Sequence, residues 1–211
     1  MDTLTKHVKP FKSELPTIGL LMYNGVLQSE VIATSDVFAN PSEEGKKLFN
    51  VVTIDQTEKP ITTEEGIIIV PVYNFRNCPK LQALFIPSAY DMYFQVHNKE
   101  IIDFIKEKNE EALYIVSNCA GAQLIRESGI ADGKKIVTWI GGGVQLQKDY
   151  PNLKVQNDSL VTFVKDGKFS SSNGNLASYI SALNLLEKMT NREHRKFLES
   201  YLYLDRLQNW K

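Results

Sequence analysis

The sequence predicts a single α/β domain, with a mostly parallel sheet carrying helices on both faces. Three observations lead there. Short, nearly continuous apolar runs recur along the chain, as strands buried on both faces require. Segments with helical spacing alternate with those runs, the pattern of strand–helix–strand crossovers. The chain has 211 residues, 43% hydrophobic and 23% charged, enough for one domain with a sizeable core.

Residues 17–23 (Thr-Ile-Gly-Leu-Leu-Met-Tyr) open the domain as a buried strand. Residues 29–38 have helical spacing, with Val31, Ile32, Ser35 and Phe38 on one side, and Asn40-Pro41 ends the helix. Residues 48–54 form the next strand. Residues 66–72 are β-branched and predict another, with Pro71 marking an edge or a strand end. A short strand over 83–86 stops at Pro87. Ile101, Ile102 and Ile105 make a helical stripe over 99–108. A buried strand over 113–116 leads to Cys119, and a helix over 120–127 closes at Ser128-Gly129. Residues 135–139 predict a strand ended by three glycines, 141–143, which read as a flexible pocket wall rather than a phosphate loop. Strands over 153–156 and 160–164 follow. Asp166-Gly167 then turns a small added hairpin into 169–172. Helices over 176–189 and about 192–207 complete the chain.

The formal net charge is −1, and the 24 Lys and Arg are scattered. That balance gives no pull toward nucleic acid or an anionic membrane surface. No apolar run approaches the roughly 20 residues of a membrane span. Residues 1–16 form a polar leader without the apolar core of a signal peptide, so the expected domain is 17–211 and the expected address cytoplasmic. Two cysteines, Cys78 and Cys119, are too few for a disulfide scaffold or a zinc cage, and both are expected as free thiols.

The most informative window is 113–125, Leu-Tyr-Ile-Val-Ser-Asn-Cys-Ala-Gly-Ala-Gln-Leu-Ile. An apolar strand runs into Cys119, and small residues then open a helix. This spacing matches a nucleophile elbow, where the reactive side chain sits on a tight, strained turn. Ala120, Gly121 and Ala122 let strand and helix approach, and the helix start favours a thiolate. An acidified Cys119 thiol, with Cys78 ordinary, is therefore expected. A buried, inert cysteine is the alternative that spacing alone leaves open.

From about residue 17 to 205 the chain resembles the ThiJ/PfpI superfamily, nearest in pattern to isonitrile hydratase-like members. The resemblance rests on the strand at 18–23, the helix at 30–38 and Ser-Asn-Cys-Ala-Gly-Ala. It also rests on residues 128–135, Tyr150-Pro151, and Ser-Ser-Asn-Gly at 171–174. It implies the class I glutamine amidotransferase-like, flavodoxin-like three-layer sandwich and a homodimer. It implies Cys119 as elbow nucleophile and Glu30 as a protonated carboxyl that donates to the thiolate. On its residue type alone, Glu30 reads as a solvated carboxylate near a helix start. The resemblance also implies backbone oxyanion donors at Ser88, Ala89 and Ala120. The chain departs from the pattern in three places. Trp139 replaces the histidine of deglycase and glyoxalase members, Ala120 replaces the histidine of protease-like members, and Pro87-Ser88-Ala89 replaces Pro-Gly-Gly.

Trp139, Tyr90 and His97 are the expected pocket residues, His97 as an acid/base partner. His7 lies in the leader and His194 in a polar helix, where a solvated side chain is expected. No histidines share a metal-ligand spacing, so no metal and no organic cofactor are expected. The function read from these residues is a cysteine-dependent enzyme of the hydrolase, amidase, hydratase or lyase range, acting on a small molecule. The alternative is a protein that senses an oxidant or binds a ligand through Cys119 with little turnover, since no general base is evident.

Overall fold

The apolar runs at 17–21, 50–55 and 83–86 end up in a central sheet, and the order of elements follows directly. Among residues 9–207, which the computed structural model describes, β1 (Thr17–Leu21) leads to α1 (Gln28–Ala39) and β2 (Asn50–Asp55). Three two-residue strands follow, β3 (Ile61–Thr62), β4 (Ile68–Ile69) and β5 (Tyr73–Asn74). Next come β6 (Ala83–Ile86), α2 (Tyr93–Val96), α3 (Lys99–Glu111), β7 (Tyr114–Asn118) and α4 (Gly121–Glu127). The remainder is β8 (Lys135–Ile136), α5 (Gly143–Asp149), β9 (Lys154–Val155), β10 (Phe163–Asp166), β11 (Phe169–Ser172), α6 (Ala177–Met189), α7 (Arg192–Tyr201) and α8 (Leu204–Leu207).

The central sheet runs β10-β11-β7-β6-β1-β2-β5, and only the β10–β11 pair is antiparallel. Removing the two edge strands leaves β2-β1-β6-β7-β11, the flavodoxin-like order. Ile18 pairs with Val51 on one side and Ala83 on the other. All residues of β1 and β6 are buried, as strands covered on both faces must be. Helices pack as two groups, α1 against α6 and α3 against α4. Phe38 of α1 meets Phe49 and Phe85 edge-on at centroid distances of 5.1 and 5.8 Å, tying that helix to the sheet. The order in which strands are added reverses between β1 and β6, which are themselves parallel. In such sheets ligands bind outside the carboxyl ends of the strands near that reversal.

Several elements differ from the sequence expectation. The apolar run 66–72 forms only β4, in a two-stranded hairpin with β3, and Ile67, Ile68 and Val70 stay exposed. Its composition favours strand, but it lies outside the core. The strand expected over 135–139 ends at Ile136, and β8 pairs in parallel with β9 in a small separate sheet. The strand expected over 160–164 forms later, as β10. Gly143 opens α5, which was not anticipated. Trp139 and Ile140, rather than the three glycines, face the cavity described below. The last helix breaks at Leu202 and Tyr203, where Tyr203 takes φ 58°. In α1 the stripe is rotated, with Ile32 facing solvent and Glu30 buried.

Candidate active site

Three loops that leave the carboxyl ends of β1, β6 and β7 meet the segment after β11, and the candidate site forms among them. β7 ends at Asn118, and Cys119 follows with φ 51°, a left-handed conformation that a cysteine rarely adopts. Such a residue persists only when its surroundings hold it. The Cys119 amide donates to Ser172 O of β11 at 2.9 Å, and its carbonyl accepts from Thr138 Oγ1 at 2.8 Å. Gly121 completes the turn. A Cβ there would lie 2.3 Å from Ile86 O and 2.9 Å from Pro87 O, so only glycine lets α4 approach the end of β6.

Glu30, in the first turn of α1, is 1% exposed. Its Oε2 accepts from the Ser88 amide at 2.7 Å. Its Oε1 accepts from Ser88 Oγ at 3.0 Å and from the Asn175 amide at 3.3 Å. Burial pushes the carboxyl from 4.5 up to about 7 despite these donors. Gly174 (φ 86°) lies between this carboxyl and the cysteine. A Cβ on it would sit 2.3 Å from Glu30 Oε1 and 2.4 Å from Cys119 Cβ. The solvated carboxylate that its residue type suggested is therefore replaced by a buried one.

No hydrogen bond joins Glu30 to Cys119 directly. The Ser88 hydroxyl is bonded to Glu30 Oε1. Burial and then the Glu30 charge push the Cys119 thiol up to about 11, while the Ser88 hydroxyl and the Ala120 amide pull it back. Cys78, half-buried and donating to Pro79 O, is also pushed up to about 11 by burial. The expected contrast between an acidified Cys119 and an ordinary Cys78 does not hold for the resting protein, because the elbow buries its sulfur beside a carboxylate. Tyr23 is fully enclosed beneath the site. Its hydroxyl donates to Pro87 O at 2.5 Å, and burial, with Glu30 and Cys119 nearby, keeps the phenol neutral.

Cys119 faces a cavity of about 1020 Å³. Its walls include Leu27, Ala89, Met92, Trp139, Ile140, Asn173 and Leu176, with Tyr90 and Tyr93 exposed at the rim. Asp91 is the one charged side chain among the described lining residues. Of the expected pocket residues, Tyr90 and Trp139 are there and His97 is not. His97 is exposed beyond the short α2, its Nδ1 paired with Tyr93 O at 2.7 Å. Nearness in sequence to the Pro87 loop suggested a role that one turn of helix removes. His194 is partly buried against Phe197 instead of solvated, and His7 lies outside the described residues. The amides expected as oxyanion donors are engaged at rest, Ser88 N with Glu30 and Ala89 N with Met92 Sδ at 3.1 Å. The Ala120 amide lowers the proton affinity of the Cys119 thiol against the effect of burial. The roles of the Ser88 hydroxyl, Gly174 and Asn175 were not read from sequence. An Asn-Gly pair directly after a predicted strand was the available signal.

Among the described residues, no cluster of His, Cys, Asp or Glu could hold a metal ion, and no helix is long and apolar enough to cross a membrane.

A strained cysteine at a strand–helix turn, beside a buried carboxyl at the carboxyl end of a flavodoxin-like sheet, defines a class of α/β proteins. Comparison with known proteins gives the family. The chain belongs to the DJ-1/PfpI family, which it matches over residues 16–188. An isonitrile hydratase from Pseudomonas putida is 25% identical over 121 residues, 57% of this chain and 51% of that protein. The match thus spans about half of that relative's length. A ThiJ/PfpI family protein from Pseudomonas syringae superposes with a TM-score of 0.80 at 18% identity, covering 96% of this chain and 84% of the other. DJ-1beta of Drosophila melanogaster does so with a TM-score of 0.76, also at 18% identity, covering 90% and 98%. These two structures share the fold.

Proposed function

We propose that this chain is a cysteine-dependent enzyme acting on a small, uncharged molecule, with Cys119 as nucleophile and Glu30 as its proton-bearing partner. The observation that carries this reading is Cys119 itself, held at φ 51° and facing a large cavity with a buried carboxyl behind it. A strained turn of this kind exposes a nucleophile that would otherwise pack inward. The cavity walls are mainly apolar, and the described lining residues carry no cation to compensate a carboxylate or phosphate, so a neutral substrate fits best.

Within the hydrolase-to-hydratase range, the occupied amides favour water addition. Acyl transfer builds negative charge on a carbonyl oxygen and needs vacant donors. Of the expected donors, Ser88 N and Ala89 N must first leave their partners. Hydration of an isonitrile makes no such demand. The sulfur bonds to the terminal carbon, which takes up a proton, and water then displaces the sulfur to leave an N-substituted formamide. The similarity to an isonitrile hydratase supports including that substrate class. The test is a screen of neutral isonitriles, nitriles, amides and glyoxals with wild type and Cys119→Ser side by side. Turnover in wild type that the variant lacks supports the reading, and equal turnover in both removes it.

A second reading keeps one observation in its favour. With both loop amides occupied and no histidine among the described lining residues, Cys119 would serve as an oxidant sensor with little catalysis. Peroxide-driven mass gain on Cys119 in a protein that turns over nothing in the screen would favour it. A homodimer is expected under either reading, and light scattering on the purified chain tests it.

A further inference from the structure

We infer that the protein has a second ligand site, away from Cys119, which takes a carboxylate with an apolar tail, the chemistry of a fatty acid. A cavity of about 630 Å³ lies between the end of α1, the start of β2 and the turn from β4 to β5. That size suits a small-molecule ligand. The cavity shares no lining residue with the one at Cys119. Phe11, Phe49, Val51, Val70 and Val72 give it apolar walls. Lys9 and Lys47 are the charged side chains among its described lining residues, which include no Asp or Glu.

The cationic end is held in place by a buried amide. Asn50 is 2% exposed. Its Oδ1 accepts from the Lys12 amide at 3.0 Å, and its Nδ2 donates to Lys12 O at 2.7 Å and Leu15 O at 3.2 Å. The segment that carries Lys9 and Phe11 is thereby tied to β2. Lys47 Nζ donates to Pro10 O at 2.8 Å and to the same Asn50 Oδ1 at 3.1 Å, and Lys9 Nζ donates to Ala39 O at 3.3 Å. Neither ammonium forms a salt bridge among the described residues. An ammonium has three N–H donors, so Lys47 keeps one and Lys9 two, enough for both oxygens of a carboxylate.

The surroundings of Lys47 favour such a ligand. Burial, and then Lys12 and Lys9, hold it below the usual lysine range, with Glu14 acting the other way. A bound anion offsets that repulsion. Phe11, Val70 and Val72 are 43%, 42% and 39% exposed, apolar surface that a tail would cover. The two cavities thus differ in charge. The one at Cys119 carries Asp91 and no cation among its described lining residues, and this one carries two cations and no acid. A fatty carboxylate therefore fits here and not beside Cys119.

The test is calorimetric titration of the full chain with dodecanoate, octanoate and dodecanol. Dodecanoate should bind at one site per chain. Octanoate should bind at least about tenfold more weakly, since each buried methylene is worth about a fourfold change. Dodecanol, with the same tail and no charge, should bind about tenfold or more weakly. Lys9→Gln should weaken dodecanoate about fivefold and leave dodecanol unchanged, which also shows that the variant is folded. Val70→Asp, at an exposed position, adds a like charge to the wall and should weaken dodecanoate by about tenfold or more. A diazirine-bearing dodecanoate, irradiated and mapped by peptide mass, should label residues 9–11, 47–52 or 70–73. Equal affinity for dodecanol and dodecanoate would overturn the inference, as would unaltered binding in both variants. No binding up to about 1 mM, or labelling confined to residues around Cys119, would also overturn it. Cys119→Ser should bind dodecanoate as wild type does, so this outcome stands apart from the nucleophile reading.

Discussion

The buried carboxyl of Glu30 should make the protein less stable as the pH rises through neutrality. Its pKa goes from 4.5 to about 7 in the fold, mainly through burial. The folded state therefore favours the neutral acid. That advantage is complete below about pH 4.5, is lost progressively as the pH climbs, and is gone above about 7. At about 1.4 kcal/mol per tenfold change in affinity, ionising Glu30 in the folded state costs about 3 kcal/mol. Glu30→Gln removes the titration while keeping the shape. Replacing a carboxyl by an amide also disturbs the bonds to Ser88 and Asn175, but that penalty does not depend on pH. The observable is the difference between the two proteins. Urea unfolding at pH 5 and pH 8 should show the variant gaining about 2.5 kcal/mol on wild type between the two. For a chain of this size that corresponds to roughly 5–10 °C in thermal midpoint. Parallel pH profiles for the two proteins would mean that Glu30 does not titrate from a buried position, and the description of the site would fail.

Gly174→Ala should cost about 1–3 kcal/mol and disorder the site. The added Cβ meets Glu30 Oε1 and Cys119 Cβ at under 2.5 Å from a φ of 86°, and chemical unfolding beside wild type measures the loss. Trp139→His should raise glyoxalase or deglycase activity from a near-zero baseline, because residue 139 lines the same cavity as Cys119 and an imidazole moves protons at neutral pH. Unchanged activity in a folded variant would show that this cavity is not of the glyoxalase type.

The strands at 17–21, 83–86 and 114–118 were readable from sequence because burial on both faces leaves an unbroken apolar run. The run at 66–72 misled for the complementary reason: its isoleucines and valines describe a strand, and nothing local tells whether a sheet will cover it. Cys119 was visible through the small residues its turn demands. Glu30 was visible only through family resemblance, since an acidic residue in a first helical turn ordinarily complements the helix dipole in solvent. The elevated thiol could not be read at all. It depends on how deeply the elbow is covered and on a carboxylate that arrives from a helix 89 residues earlier in the chain. Ser88 was read for its backbone, whereas its side chain also bonds the Glu30 carboxyl.

The central claim is that Cys119 bonds covalently to a neutral substrate in the cavity beside Glu30. Rapid-quench intact mass spectrometry, on whichever neutral substrate the wild-type protein turns over fastest, tests it most directly. The account predicts a transient mass increase mapped to the Cys119 peptide, absent in Cys119→Ser and slower to form in Glu30→Gln. Undiminished turnover by Cys119→Ser would contradict it.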